Sequence, residues 1–137
     1  MFDELTKYKT NGHFFFERGQ NLSQVCNAPE QPGVYYILML RKGKIELVYI
    51  AASGTINQKG KFSSQLLRGR LNHKQSGTQR QQLFEEIILQ KEIDALDIYW
   101  FVTFDKDNQH LPSYVEALLL QKHFDIYGCL PQWNKAF

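Results

Sequence analysis

The sequence predicts a single α+β domain with a small, mostly antiparallel three-stranded sheet flanked by helices. Two observations favour this fold class: a β-hairpin opens the main segment, and two helical segments, a third strand and a long apolar helix follow it. The 137 residues match the commonest domain size, and a content of 43% hydrophobic and 14% aromatic residues suffices for one core. We therefore expect one domain along the whole chain.

The Pro32-Gly33 pair marks the start of the main unit, because proline and glycine are the strongest local signals of a turn. We expect residues 31–137 to form the core of the domain and residues 1–30 to be an N-terminal extension. Inside that extension, His13–Glu17 is compatible with a short strand, and Leu22–Cys26 with a helical turn or an edge segment.

A β-hairpin is the clearest local feature of the sequence. Val34–Leu40 is apolar, aromatic and β-branched, which is typical of a buried strand. Arg41–Lys44 predicts a turn in which Gly43 supplies the positive φ of a tight hairpin, and Ile45–Ala51 returns as the second strand.

Two helices are expected after the hairpin. A polar loop, Ala52–Gly60, leads to a helix over Phe62–His73. Gly77 interrupts the pattern, and Thr78 with Gln81 fits a capping box at the start of the second helix.

The C-terminal part predicts a strand, a helix and a tail. Asp97–Phe104 is rich in aromatic and branched residues and indicates the third strand. Pro112–Tyr127 has the pattern of an apolar helix, which Gly128 ends. Pro131–Phe137 follows as a tail.

The charge is unevenly distributed, although the net charge of +2 is too small to identify a nucleic-acid-binding protein. No acidic residue lies between Leu47 and Phe84, and all six charged residues there are basic. They are Lys59, Lys61, Arg68, Arg70, Lys74 and Arg80. This segment can form a phosphate-binding surface, since lysine and arginine displace the counterions of nucleic acid, or it can be a solvated basic face.

Composition argues against membrane and disulfide-stabilised classes of protein. The longest apolar runs, Val34–Leu40 and Val115–Leu120, are too short to cross a bilayer, and no signal peptide is visible. Cys26 and Cys129 lie far apart without the spacing of a metal site. We therefore expect a reduced, cytoplasmic protein with no membrane partner.

Five sequence features, in order, resemble the GIY-YIG nuclease superfamily. The two strand motifs after which the family is named read Gly33-Val34-Tyr35 and Tyr49-Ile50-Ala51 here. The likeness covers residues 31–134, and the chain is similar in particular to the incision domain of bacterial excision-repair endonucleases.

The other three features lie downstream of the hairpin. The segment LLRGRLNHK resembles the family's arginine-bearing helix, with Arg70 as the better match and Arg68 as the alternative. The segment YVEALLLQKHF resembles the later helix with its glutamate, here Glu116, and LPQWN resembles the closing segment with its asparagine, here Asn134.

The resemblance implies hydrolysis of phosphodiester bonds in DNA with Mg²⁺ or Mn²⁺ as cofactor. Glu116 would be the metal ligand, because Mg²⁺ prefers carboxylate oxygen and keeps several waters. Arg70 would present its planar guanidinium to the phosphate, and Asn134 would complete the catalytic set. One of Tyr35 and Tyr49 would act as general base, a role that needs nearby positive charge because a free phenol has a pKa of about 10.

DNA is the partner that this resemblance implies. We expect Lys61, Arg68, His73 and Lys74 to contact it as nucleic-acid-binding residues. The sequence contains no helix-turn-helix or zinc finger, so a targeting protein is a further candidate partner. Relatives of this kind act in DNA repair, restriction or mobile elements.

Each of these residues also has an interpretation without catalysis. Tyr35 and Tyr49 are good strand residues, and Asn134 can bond the backbone of its own tail. Ser113 with Glu116 fits a capping box, in which the carboxylate would bind a backbone N–H. Pro112 opposes that assignment, because proline prefers the first helical position and would place Ser113 inside the helix.

Ala51 stands where the second family motif has glycine. A glycine there indicates positive φ or a close approach of the backbone to phosphate, whereas an alanine fits if φ is negative. Two hypotheses therefore stand: an active endonuclease, and a non-catalytic module of the same fold that binds nucleic acid or protein.

Overall fold

The structure is a computed structural model that describes residues 2–63, 65–75 and 78–137, with residues 74 and 75 described by their backbone alone. The strands are β1 (Asn11–Phe16), β2 (Gly33–Arg41), β3 (Lys44–Ser53), β4 (Lys74–Gln75), β5 (Thr78–Gln79) and β6 (Ala95–Val102). The helices are α1 (Leu22–Val25), α2 (Leu67–Asn72), α3 (Arg80–Lys91) and α4 (Pro112–Tyr127), and a 3₁₀ turn covers Asp3–Leu5. The α+β class is confirmed.

The main sheet of the described ranges has four antiparallel strands in the order β1-β6-β2-β3, not the three that the sequence predicts. The additional strand is β1, which pairs with β6 from Asn11↔Phe101 to Phe16↔Leu96. Phe14 and Phe16 alternate into the core, as expected of a strand with one buried face. The first 30 residues therefore contribute a strand and core side chains to the sheet.

The β2–β3 hairpin is confirmed, and both strands extend beyond their predicted ends. Its two turn residues, Lys42 and Gly43, have φ of 51° and 75°. Positive φ at both central residues is what a type I′ turn requires, and this turn matches the twist of the flanking strands. The register shifts between Ile37 and Leu38, which marks a bulge.

Helices cover both faces of the sheet. On one face, Leu67 and Leu71 of α2 and Phe84 of α3 join the core cluster that contains Tyr35 and Phe16. On the other face, α4 packs its apolar stripe against Val34 and Ile50. The residues of this stripe are Val115, Leu119 and Leu120. β3 is an edge strand of this sheet.

The first predicted helix is shorter than expected, because only Leu67–Asn72 is helical. Phe62 instead forms an isolated antiparallel bridge with Ile56, which holds the preceding segment extended. The N-terminal N–H groups of α2 find their partners in the segment before β2: Leu67 N donates to the Gln31 carbonyl, and Gly69 N donates to the Glu30 carboxylate at 2.9 Å. These contacts determine where α2 starts.

The predicted capping box of the second helix is wrong. Thr78 lies in β5, paired with Gln75, and the helix begins later, at Arg80, without a side-chain cap. The Gln81 side chain is engaged elsewhere, since its Oε1 accepts from the Leu22 N–H at 2.6 Å. The extended backbone of β5 excludes the geometry that the motif needs.

The last strand and helix follow the prediction closely. β6 runs over Ala95–Val102 and is displaced by two residues from the predicted range, because its register with β2 ends at Gly33↔Val102. α4 spans Pro112–Tyr127 as predicted, and Gly128 ends it with φ of 71°. No helix in the described ranges is long and apolar enough to cross a membrane.

Candidate functional site

Tyr35 and Tyr49 lie on adjacent strands of the hairpin and on the same face of the sheet. Tyr35 pairs with Ala51 and Tyr49 with Ile37, and the two ring centroids are 6.1 Å apart. Tyr35 is fully buried, whereas Tyr49 is partly exposed. The Tyr35 hydroxyl has no partner with good hydrogen-bond geometry among the described residues, although Arg80 lies close enough to lower its pKa by a polar contact. A buried hydroxyl without a well-placed partner is costly, and a catalytic role is one physical reason for keeping it.

Arg80 lies against both tyrosine rings, a position that the sequence analysis missed. Its guanidinium carbon is 5.9 Å from the Tyr35 ring centroid, 6.0 Å from that of Tyr49 and 5.9 Å from that of Phe84. The residue is only 4% exposed, and its Nε has no partner in the described part of the chain. Arg80, Phe84 and Ile88 form the buried stripe of α3. An arginine in register with that stripe is the sequence signal that distinguishes Arg80 from the other basic residues.

Burial and the neighbouring positive charges change the pKa of Tyr35 in opposite directions. Burial raises the pKa of Tyr35 to about 12, and the charges of Arg80 and Arg70 oppose this rise. The neighbouring Tyr49 contributes to the rise in the pKa of Tyr35. Burial is the larger effect, so Tyr35 is a neutral phenol at neutral pH. The two arginines provide the positive charge that a phenolate needs.

Arg70 and Glu116 approach the same region from opposite faces of the sheet. The charge of Arg70, on α2, lowers the pKa of Tyr35 and also that of Glu116, on α4. Burial raises the pKa of Glu116 above its usual range, and a polar contact with the backbone of Ala52 opposes that rise. Glu116 therefore lies half-buried beside the end of β3, within electrostatic range of Arg70.

The capping-box interpretation of Glu116 is wrong. Leu111 is the N-cap residue of α4, without a side-chain hydrogen bond, and Pro112 occupies the first turn. Ser113 is consequently inside the helix and does not cap it. The carboxylate of Glu116 thus lies beside β3 and does not serve the N-terminus of its own helix.

Asn134 binds the outer edge of β3 with both ends of its side-chain amide. Its Oδ1 accepts from the Ile50 N–H at 2.9 Å, and its Nδ2 donates to the Ile50 carbonyl at 2.8 Å. Trp133 N donates to the Val48 carbonyl at 2.8 Å. The side chain bonds β3 and not its own tail. Asn134 therefore fixes the strand edge next to the backbone group of Ala52 that contacts Glu116.

The predicted nucleic-acid-binding residues differ in their surroundings. Arg68 donates from its two terminal nitrogens to the carbonyls of Cys26 and Ser23, at 2.8 and 2.9 Å, and so stabilises the end of α1. Lys61 and His73 are exposed, and the side chain of Lys74 lies outside the described residues. Of the two candidate arginines of α2, the structure brings Arg70 to the tyrosines.

Ala51 does not strain the second motif. It lies inside β3 with negative φ, is 8% exposed and packs in the core cluster. We expect Ala51→Gly to lower the free energy of unfolding by about 1 kcal/mol, because glycine weakens a strand, and to leave any cleavage rate unchanged. Urea unfolding and a cleavage assay on the same samples check this. A tenfold or larger gain in rate would contradict it.

A metal ion at this site would depend on few protein ligands. The described ranges contain no group of three or more histidine, cysteine, aspartate or glutamate side chains that could hold one. A single carboxylate fits Mg²⁺, which commonly uses one or two carboxylates and retains several waters. Glu116, half-buried and with its charge disfavoured by burial, is the residue that fits such an ion.

Comparisons of the chain with models of protein families, with curated proteins and with solved structures find no significant match.

Proposed function

We propose that the chain is a divalent-metal-dependent endonuclease that hydrolyses phosphodiester bonds in DNA. The observation that carries this proposal is the convergence of Tyr35, Arg70 and Glu116. These residues come from a strand and two helices that are distant in sequence, yet the charge of Arg70 acts on both Tyr35 and Glu116. A phenol, a guanidinium and a carboxylate are the groups that phosphodiester hydrolysis needs for proton transfer, charge stabilisation and metal binding.

In this mechanism, Arg70 binds the phosphate with its planar guanidinium and offsets the charge that develops on the phosphate oxygens. Tyr49 is partly exposed and so can reach the attacking water as general base. Tyr35 is buried, and together with Arg80 it orients and polarises Tyr49. The positive charge of Arg80 favours the phenolate that a tyrosine base must form.

Glu116 would hold Mg²⁺ or Mn²⁺, which when bound supplies Lewis-acid stabilisation of the phosphate charge. A half-buried carboxylate whose charge is disfavoured by burial gains free energy from a nearby cation. Asn134 positions the edge of β3, whose Ala52 backbone contacts this carboxylate.

A cleavage assay tests the proposal. Purified protein is titrated with Mg²⁺ and with Mn²⁺ on supercoiled, linear and branched DNA, with EDTA as the metal-free control. Wild type is expected to cut, and Arg70→Gln to cut at least about a hundredfold more slowly. Arg68→Gln, on the same helix but bound to α1, is the matched control and should retain cleavage per folded molecule. Wild type that never cuts contradicts the proposal.

Arg80 is expected to determine the pH dependence of cleavage. Arg80→Gln removes the positive charge that favours a phenolate beside it, so the rate falls at neutral pH and recovers only at higher pH. Arg80→Lys keeps the charge and should restore most of the wild-type dependence of the cleavage rate on pH. The measurement is the cleavage rate of the folded proteins between about pH 6 and about pH 9. A drop of equal size at every pH would indicate a purely structural role.

One observation favours a second candidate, a non-catalytic module that binds nucleic acid. Tyr35 is fully buried and burial raises its pKa to about 12, so it cannot act as general base and only Tyr49 is left for that role. This candidate predicts salt-dependent DNA binding without cleavage under any metal condition.

A further inference from the structure

A cavity of about 390 Å³ opens beside Tyr49, between α3 and the C-terminal tail. Its aromatic walls come from three elements: Tyr49 of β3, Phe84 of α3 and Trp133 of the tail. Leu83 and Ile87, which are partly exposed, also line it. The size lies within the range of small-ligand sites, and the walls suit a flat apolar body.

The two charged residues that line this cavity are both positive, and its other polar groups include the Thr78 hydroxyl and the Gln132 amide. Arg80 and Trp133 line it, but the Nε of Arg80 and the indole Nε1 of Trp133 are covered by protein and are not open to a ligand. Lys135 is exposed and adds a second positive charge. None of the described residues that line the cavity is a carboxylate. A ligand that complements it therefore carries negative charge.

The cavity is continuous with the candidate active site. Tyr49 and Arg80 belong to both, because each lines the cavity and each also lies beside Tyr35. A ligand bound here would consequently lie directly next to the place where a phosphate meets the tyrosines.

We propose that this cavity binds one unpaired nucleotide of the DNA substrate. The base lies against the aromatic walls, and the phosphate of the nucleotide meets Lys135. A paired base cannot enter without leaving the duplex, and leaving costs least for a base that is already unpaired. The inference rests on the proposed function and makes it more specific: the substrate is DNA with an unpaired nucleotide next to the cut.

Binding can be measured without cleavage by using Glu116→Gln protein in EDTA. Fluorescence anisotropy compares a duplex that carries one unpaired nucleotide with the same duplex fully paired. We expect the duplex with the unpaired nucleotide to bind about tenfold more tightly, which is the gain that one stacked base supplies. Ile87→Trp, which fills the cavity, should abolish this preference and leave binding of the paired duplex unchanged. Leu89→Trp on the same helix is the matched control, since Leu89 is 57% exposed and lies outside the cavity.

Lys135→Gln provides a second test that does not depend on core packing, because Lys135 is exposed. It should weaken binding of the unpaired form more than that of the paired form. Equal affinity for the two duplexes, or a preference that survives Ile87→Trp, overturns the inference. If wild type still cuts paired DNA in that case, the nuclease proposal stands alone. If neither duplex binds and neither is cut, both proposals fail.

Discussion

Glu116→Gln is expected to lower Mg²⁺-dependent cleavage of DNA by about a thousandfold or more, because the neutral amide cannot replace the carboxylate as a metal ligand. The substitution preserves size and shape, so the helix and the packing of α4 against β3 should remain. Single-turnover cleavage at saturating DNA measures the effect on the chemical step and separates it from substrate binding.

The same variant should be more stable than wild type at neutral pH. Burial raises the pKa of Glu116 in the folded protein, so ionisation of this group opposes folding. That cost is present at neutral pH and disappears as the pH falls below the ordinary carboxyl range, where the group is protonated in both states. Urea unfolding at several pH values should therefore show a gain in stability that shrinks with acidification.

Glu46→Gln is the matched control for both measurements. Glu46 is an exposed glutamate of β3, and its substitution should change neither the cleavage rate nor the pH dependence of stability. A Glu116→Gln protein that cuts as fast as wild type would remove Glu116 from the site. A variant that is less stable at neutral pH would show that the carboxylate contributes to folding.

Gly33→Ala is expected to destabilise the fold by about 3 kcal/mol or more, the upper end of the cost of overpacking. A Cβ atom at this position would collide with the carbonyl group of Phe101 on β6, with its carbon at 3.0 Å, and with Leu67 Cδ1 at 2.9 Å. Because β2 is hydrogen-bonded to strands on both sides, it has no room to shift. Leu67 begins α2, so the collision would also displace the helix that carries Arg70.

Gly19→Ala is the control for Gly33→Ala. Nothing lies within 4 Å of a Cβ built on Gly19, and only its φ of 93° opposes a side chain, at a cost of about 1 kcal/mol. Chemical denaturation of both variants compares the two costs. If Gly33→Ala loses no more stability than Gly19→Ala, the close approach of β2, β6 and α2 is not as described.

Elements with strong local signals could be predicted from the sequence. The hairpin has Gly43 in its turn, and α4 has Pro112 at its start and Gly128 at its end. The pairing of β1 could not be predicted, because its partners, from Leu96 to Phe101, are distant in the chain and only tertiary contact selects them. The start of α2 could not be predicted either, because it depends on hydrogen bonds to Gln31 and Glu30, which are distant in the chain.

The candidate site, too, could be predicted from the sequence only in part. The family resemblance singled out Tyr35, Arg70 and Glu116, and in the structure Arg70 acts electrostatically on both of the others. The resemblance favoured Arg70 over Arg68 but left Arg68 as the alternative, because the carbonyls of α1 that bind Arg68 cannot be identified from the sequence. It also missed Arg80, whose burial results from packing of α3 against two tyrosines of the hairpin.

Anomalous diffraction from crystals grown with Mn²⁺ and an uncut DNA tests the central claim most directly, because it locates the ion independently of any rate. We expect one Mn²⁺ peak within about 2.2 Å of a Glu116 carboxylate oxygen, on the side that faces Arg70, and no such peak in Glu116→Gln crystals. Mn²⁺ bound elsewhere in the complex, with no peak at Glu116, would contradict the assignment of this site.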